Sequence, residues 1–379
     1  MKDNNQSGLF DILLKIVSGY INSPDVTDIP ELKNFKEDDL SSLYNLAEFH
    51  SVKPQLLKFT EKLDSAIKAS DIKNKIRLDC HEIVVEQLGF TAEFLRLHKI
   101  FSKRKISVIP FKGFWVAAEY YGNLGDRESV DIDLFVREED LDVIAEVMTA
   151  EGYEAQKDFQ GYSVSEIRRK FHEYNFDKFH GEKRLYHVEF HWRMSTPVYG
   201  MDITFKDLAG EIKEGSLNGN EIVVFSSSAQ FLLLVMHHGG KDLFRELKQV
   251  LDFAMILQRR NDLNWNWIME KAGRYHLKKM VLVALRLAME LSVKEMPAEI
   301  QQLISSESIR KLADNRLRKM KSGYFKGVRE GMDRWLFRMN GLTGIWIKIR
   351  ITWFIFFLIL IKSTIPASLR RYFPYSEFV

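Results

Sequence analysis

The stretch ISVIPFKGFWVAAEYYGNLGDRESVDIDLFVR, residues 106–137, decides the fold. Its opening is a short apolar run that ends at Lys112-Gly113, which reads as a strand followed by a turn. FWVAAEYYG has helical texture. SVDIDLFVR alternates and is β-branched, so it reads as a second strand. Side chains alternate with period two, which puts Asp131 and Asp133 on one face and their apolar neighbours on the other. Two carboxylates so close repel one another, and burying them is costly unless a cation neutralises them. Hard oxygen ligands of this kind suit Mg²⁺ or Mn²⁺. A solvated strand face that happens to carry two acids is the plainer alternative.

Working outward, EEDLDVIAEVMTAEGY is an amphipathic helix stopping at Gly152. KFHEYNFDKFH and RLYHVEFHWR follow as two strands joined by the turn-like HGEK. Strand, helix, strand, helix and hairpin describe a small α+β sheet covered by helices. His187, Glu189 and His191 share one face of the last strand. Glu189 is therefore a third carboxylate for the acidic pair, although two imidazoles and a carboxylate also suit Zn²⁺. Gly113 lets the backbone approach a phosphate, and the helix after it offers free N–H groups. The first hundred residues read as helices, as does the chain from Ser226, where serines suit a helix cap. Gly239 and Gly240 are expected to divide that pattern. The expected organisation is a helical region (1–104), an α/β-like core (105–225), a helical domain (226–342) and an apolar-basic tail (343–379).

Here the sequence resembles a family. Lys112-Gly113, Arg127, the Asp131-Ile132-Asp133 strand and the later Glu189-Phe190-His191-Trp192 are similar to motifs of the uncharacterised bacterial nucleotidyltransferases of the polymerase beta-like superfamily. LYNLAEFHSVKPQL and HHGGKDLFRELKQVLDFAMIL resemble the flanking helical segments, where His238, Lys241 and Asp252 match recurring positions. The resemblance implies a small mixed nucleotidyltransferase sheet with Asp131, Asp133 and Glu189 as catalytic metal ligands for Mg²⁺ or Mn²⁺. It implies Lys112, Gly113 and Arg127 at the nucleotide, and His191, His238, Lys241 and Asp252 on the acceptor side. The implied reaction moves a nucleoside monophosphate from a triphosphate such as ATP to an acceptor that the sequence does not name. Two departures stand out. Phe114 follows the glycine where the superfamily has Ser or Gly, and Asp242 stands where the family often has a second His. A catalytically silent nucleotide-binding scaffold is the alternative.

Composition bounds these readings. With 379 residues, 46% hydrophobic and 28% charged, the chain is a folded protein too long for one ordinary core. One cysteine, Cys80, excludes an intrachain disulfide, and the start does not read as a signal peptide, so a cytoplasmic setting is expected. From Arg310 onward there are 15 Lys and Arg against 4 Asp and Glu, whereas the rest carries 40 against 48. A basic tail on an acidic body suggests an anionic partner. No aromatic-basic interleaving on a sheet points to nucleic acid. The run ITWFIFFLILI is 11 residues long, about half of what a bilayer span requires. Lys348, Arg350, Lys362, Arg370 and Arg371 flank it. A buried helix, an oligomer contact or a peripheral anchor at the inner face of a membrane are the expectations for it.

Overall fold

The structure is a computed structural model that describes residues 2–22, 29, 35, 37–61, 71–195, 203–322 and 328–364. Among the described residues, the helices that precede the sheet are α1 (Lys2–Asn22), α2 (Glu37–Phe49), α3 (Lys53–Thr60) and the long α4 (Asp71–Lys103). The sheet then forms as an α+β arrangement of five strands. They are β1 (Ile109–Pro110), β2 (Ile132–Phe135), β3 (Glu154–Ala155), β4 (Glu173–His180) and β5 (Lys183–His191), in the order β1-β2-β5-β4-β3. β2 runs parallel to β5 and antiparallel to β1, so the sheet is mixed. Helix α5 (Gly113–Val116) links β1 towards β2, and α6 (Leu141–Ala150) follows β2.

Strand alternation sorts the side chains. Ile132, Leu134, Val188, Phe190 and Phe176 pack into one core with Phe90, Phe94 and Leu97 of α4 and Ile144 and Val147 of α6. The opposite face takes the polar partners of those strands. Helix α7 (Val164–Lys170) joins the first core through Ile167. A second core joins α1, α2 and α3 to α8 (Phe205–Leu208), α9 (Ser227–Leu234), α10 (Leu247–Arg259), α11 (Trp265–Arg274) and α12 (Lys278–Ala288). The N-terminal helices thus pack on those that follow the sheet. Burial of this apolar surface contributes about 25 cal/mol per Å².

Three details differ from the sequence reading. β2 begins at Ile132, so Asp131 lies in the bend before the strand. A hairpin, β6 (Ile212–Leu217) and β7 (Asn220–Phe225), went unread despite its Asn218-Gly219 turn. Both turn residues have positive φ (50° and 77°), the geometry that Asn-Gly favours between paired strands. Third, Gly239 and Gly240 do divide the later helix, but through a π-helical segment, Val235–Lys241, that continues α9. The Ser226 hydroxyl caps α9 by accepting from the Ala229 N–H at 3.2 Å, as expected.

His50 ties the end of α2 to α10. Its buried ring accepts the Leu247 N–H at Nδ1 (3.3 Å) and lies edge-on to Phe10 and Phe49. Burial lowers its pKa to about 4, only partly offset by the Met320 carbonyl. The unfolded chain therefore takes up a proton below the ordinary histidine range that the native state refuses. Stability falls as pH drops from about 6.5 towards 4, by up to about 3 kcal/mol from this group. Denaturant titrations across that window should show a slope shallower by about one proton in His50→Asn, which keeps an acceptor for Leu247. An unchanged slope would remove His50 as a source of acid lability.

Candidate active site

The register of the parallel pair places Asp133 beside Glu189, and Phe135 beside His191. The antiparallel pair sets Glu173 against His191, Asn175 against Glu189 and Asp177 against His187. With period-two alternation, one face of the sheet thus gathers Asp133, Glu189, His187, His191, Glu173, Asn175 and Asp177. Asp131, half-buried, precedes this face by one bend.

Charges on this face are compensated by the chain's own cations. Lys112 Nζ stands 2.6 Å from Asp133 Oδ1 and donates to His237 Nε2 at 2.9 Å. His191 Nε2 donates to Asp133 Oδ1 (3.2 Å) and Glu189 Oε2 (3.1 Å), while its Nδ1 faces Glu173 Oε2 at 3.3 Å. His187 sits between Glu189 Oε1 (3.1 Å) and Asp177 Oδ1 (2.7 Å). Lys241 approaches Glu173 at 3.6 Å.

The protonation states follow. Burial works against the charge on His191, yet its bonds to Asp133 and Glu189 and the nearby Glu173 raise its pKa to about 9. Burial likewise opposes ionisation of Asp133, but Lys112 and His191 hold it below the usual carboxylate range. Asp131 has no such close partner among the described residues. Burial and the charge of Asp133 push it up to about 7, against the pull of Lys112. Burial, with Lys112 adding to it, lowers His237 to about 4 and leaves its ring neutral.

A second buried network braces the turn that carries Lys112. Arg127 clasps Asp252 of α10 with two 2.8 Å bonds and donates to the Gly113 carbonyl at 3.3 Å. Tyr121 and His238 complete the Asp252 carboxylate at 2.8 and 2.9 Å. Gly113 has φ +56°, and a Cβ there would lie 3.1 Å from the Asp131 carbonyl and 3.3 Å from Ser129 Oγ. A side chain at this position would be strained on both counts. Gln87 of α4 holds Ser129 from behind through two hydrogen bonds. Gln55 of α3 holds the Asp126 carbonyl at 2.7 Å. The N-terminal helices thus fix the loop that delivers Asp131.

The structure brings Lys112, Asp131, Asp133, Glu189, His191 and Lys241 to one polar face, and sets Gly113, Arg127, His238 and Asp252 just behind it as a brace. Arg127, His238 and Asp252 are all buried, and both Arg127 and His238 are bonded to Asp252. Sequence reasoning missed Glu173, Asp177 and Tyr121. The alternation Glu173-Tyr174-Asn175-Phe176-Asp177 carried the signal for the first two. The fit of a cation rests on this geometry. Asp133 Oδ2 is buried without a hydrogen-bond partner among the described residues. Ligand atoms of Asp133, Glu189 and His191 lie within 4.8 Å of one another. An unsatisfied buried carboxylate oxygen beside a second carboxylate, with Asp131 in need of a counter-charge, is a donor set that suits a hard divalent ion.

These features define an α+β protein whose small mixed sheet presents an acidic, cation-compensated face to the helices that follow it. Residues 36–292 match the family model described as "Uncharacterised nucleotidyltransferase", and the chain belongs to that family. No curated protein and no solved structure matches it.

The two networks differ in what their removal does. Asp252→Ala leaves the Arg127 guanidinium buried and unpaired, and should cost about 3–5 kcal/mol in urea unfolding at neutral pH. Asp131→Asn removes a repelled carboxylate and should leave stability unchanged or raise it. Equal losses in the two variants would show that the brace and the acidic face are not separate.

Proposed function

We propose that the chain is a metal-dependent nucleotidyltransferase that moves a nucleoside monophosphate from a nucleoside triphosphate, ATP in the first instance, to an acceptor hydroxyl with release of pyrophosphate. The observation that carries this reading is the pairing of Asp133 with Glu189 across a parallel register, with one Asp133 oxygen lacking a hydrogen-bond partner among the described residues. Family membership supports it.

Asp131, Asp133 and Glu189 would hold Mg²⁺ or Mn²⁺, which when bound supplies charge neutralisation at the phosphates. The chain's own groups do the rest. Lys112, buried between Asp133 and His237, presents a fixed positive charge beside the carboxylates. Gly113 shapes the turn that a triphosphate would approach, because its positive φ and lack of a side chain let that turn pass close to the Asp131 carbonyl and Ser129. Arg127 and Asp252 act as positioning residues, because their bidentate pair holds that turn against α10. Glu189 and His191 stand where an acceptor hydroxyl can give up its proton to a carboxylate held by two imidazoles. His238 and Lys241 belong to the facing wall, with Lys241 tied to Glu173. The cytoplasm is the setting that this substrate implies.

One feature favours a second reading, a nucleotide-binding scaffold without turnover. Lys112 is engaged on both sides, and Phe114 stands buried at the turn in place of a hydroxyl-bearing residue.

Incubation of the protein with each labelled nucleoside triphosphate, Mg²⁺ or Mn²⁺ and a cell extract tests the proposal. Label should pass to an extract component and pyrophosphate should appear. Asp133→Asn should abolish transfer and weaken metal-dependent triphosphate binding. Glu189→Gln should retain triphosphate binding and lose turnover. Binding with no transfer under any of these conditions supports the scaffold instead, and full activity in Asp133→Asn sinks the metal assignment.

A further inference from the structure

Helix α16 (Ile345–Thr364) follows α13 (Ala298–Ile304), α14 (Glu307–Ser322) and α15 (Val328–Gly341). Ile347 and Ile351 are buried in the second core, which docks the helix on the body. Trp335 of α15 donates from its ring to Thr352 Oγ1 at 3.2 Å and fixes the pairing of the two helices. Among the described side chains of this helix, Ile345, Trp346, Ile349, Trp353, Phe356 and Phe357 are exposed. Trp346 is 80% exposed and Trp353 67%, although the Trp353 ring stands edge-on to Phe356 within the same stripe.

At 3.6 residues per turn, these six fall within an arc of about 120°, on the side away from Ile347 and Ile351. Isolated exposed apolar residues need no explanation, whereas a continuous aromatic stripe marks a contact. We propose that this stripe is a peripheral docking face for an anionic lipid surface.

Charge selects the lipid over a second copy of the chain. Residues 345–371 contain five Lys and Arg and no Asp or Glu. Arg350 is exposed at one border of the stripe, and Lys348 is half-buried towards the other. Two copies joined face to face would bring these cations together with no acid on either helix to pair them. An anionic bilayer instead pairs them with headgroups while tryptophan and phenylalanine enter the boundary region, where amphipathic rings are favoured. The mode is peripheral, since among the described residues no helix is long and apolar enough to cross a membrane. Lys362, Arg370 and Arg371 complete the basic set in sequence. Arg370 and Arg371 lie outside the described residues, and only the backbone is described at Lys362.

Co-sedimentation of the full chain with vesicles of phosphatidylcholine alone, or with part replaced by phosphatidylglycerol, tests this at low and high salt. Binding should require phosphatidylglycerol and weaken with salt. Each cation near an anionic surface contributes about five-fold in affinity, so Lys348→Gln with Arg350→Gln should lose roughly thirty-fold. Trp346→Ser with Trp353→Ser should abolish retention while the circular dichroism spectrum stays native, because both rings are exposed. Sedimentation velocity without lipid should give a species unaffected by the tryptophan changes. Absence of vesicle binding overturns the proposal, as does dissociation of an oligomer by the tryptophan pair. Retention that ignores both substitutions and headgroup charge overturns it too.

Discussion

Lys112 and Asp133 face one another 2.6 Å apart in the interior, and neither charge is tolerable there without the other. Asp133 is on a central strand with one carboxylate oxygen taken by Lys112 and His191 and the other without a hydrogen-bond partner among the described residues. Lys112 in turn reaches His237 on the π-helical segment. This single lysine therefore links the sheet to the helical wall opposite. A divalent ion beside Asp133 would share that carboxylate with Lys112, which together with the His191 imidazolium brings positive charge to this face.

A neutralised face still has to be aimed, and that falls to the Arg127–Asp252 clasp. Arg127 is six residues before Asp133, Asp252 is on α10, and the same guanidinium supports the Gly113 carbonyl. The turn, the acidic strand and the helical domain are thus fixed by one buried, bidentate pair, whose planar fork leaves little freedom. Such a pair contributes less to net stability than to uniqueness of geometry, because the desolvation of both charges offsets most of their attraction.

Much of this was legible in the sequence because strands of period two write their faces plainly. Asp133 with Glu189 and His191 followed from alternation and from apolar neighbours at Ile132, Leu134, Val188 and Phe190. Glu173 obeys the same rule on β4, but nothing local distinguishes a strand acid aimed at a histidine from one aimed at water. Register decides that, and register between β4 and β5 is a property of the assembled sheet. Arg127 and Asp252 are 125 residues apart, so no local pattern reveals that they meet. Asp131 fell outside the strand because the chain must bend there to let Gly113 pass close to its carbonyl.

The helical wall shows why a glycine pair interrupts α9. Side chains on adjacent positions of a regular helix diverge by about 100° and cannot serve one face. In the π-helical segment His237 reaches Lys112 while His238 reaches Asp252, and the two rings meet at Nδ1 3.3 Å apart, so neighbouring histidines link the two buried networks. Gly239 makes the segment possible: a Cβ there would come within 2.7 Å of the Phe244 ring, which is packed against Phe253 of α10. Leu243 and Phe244 both adopt positive φ (62° and 50°), an uncommon conformation for bulky residues that the surrounding packing must sustain. The backbone here is thus held in an irregular path between two packed helices, and that path is what sets His237 opposite Lys112.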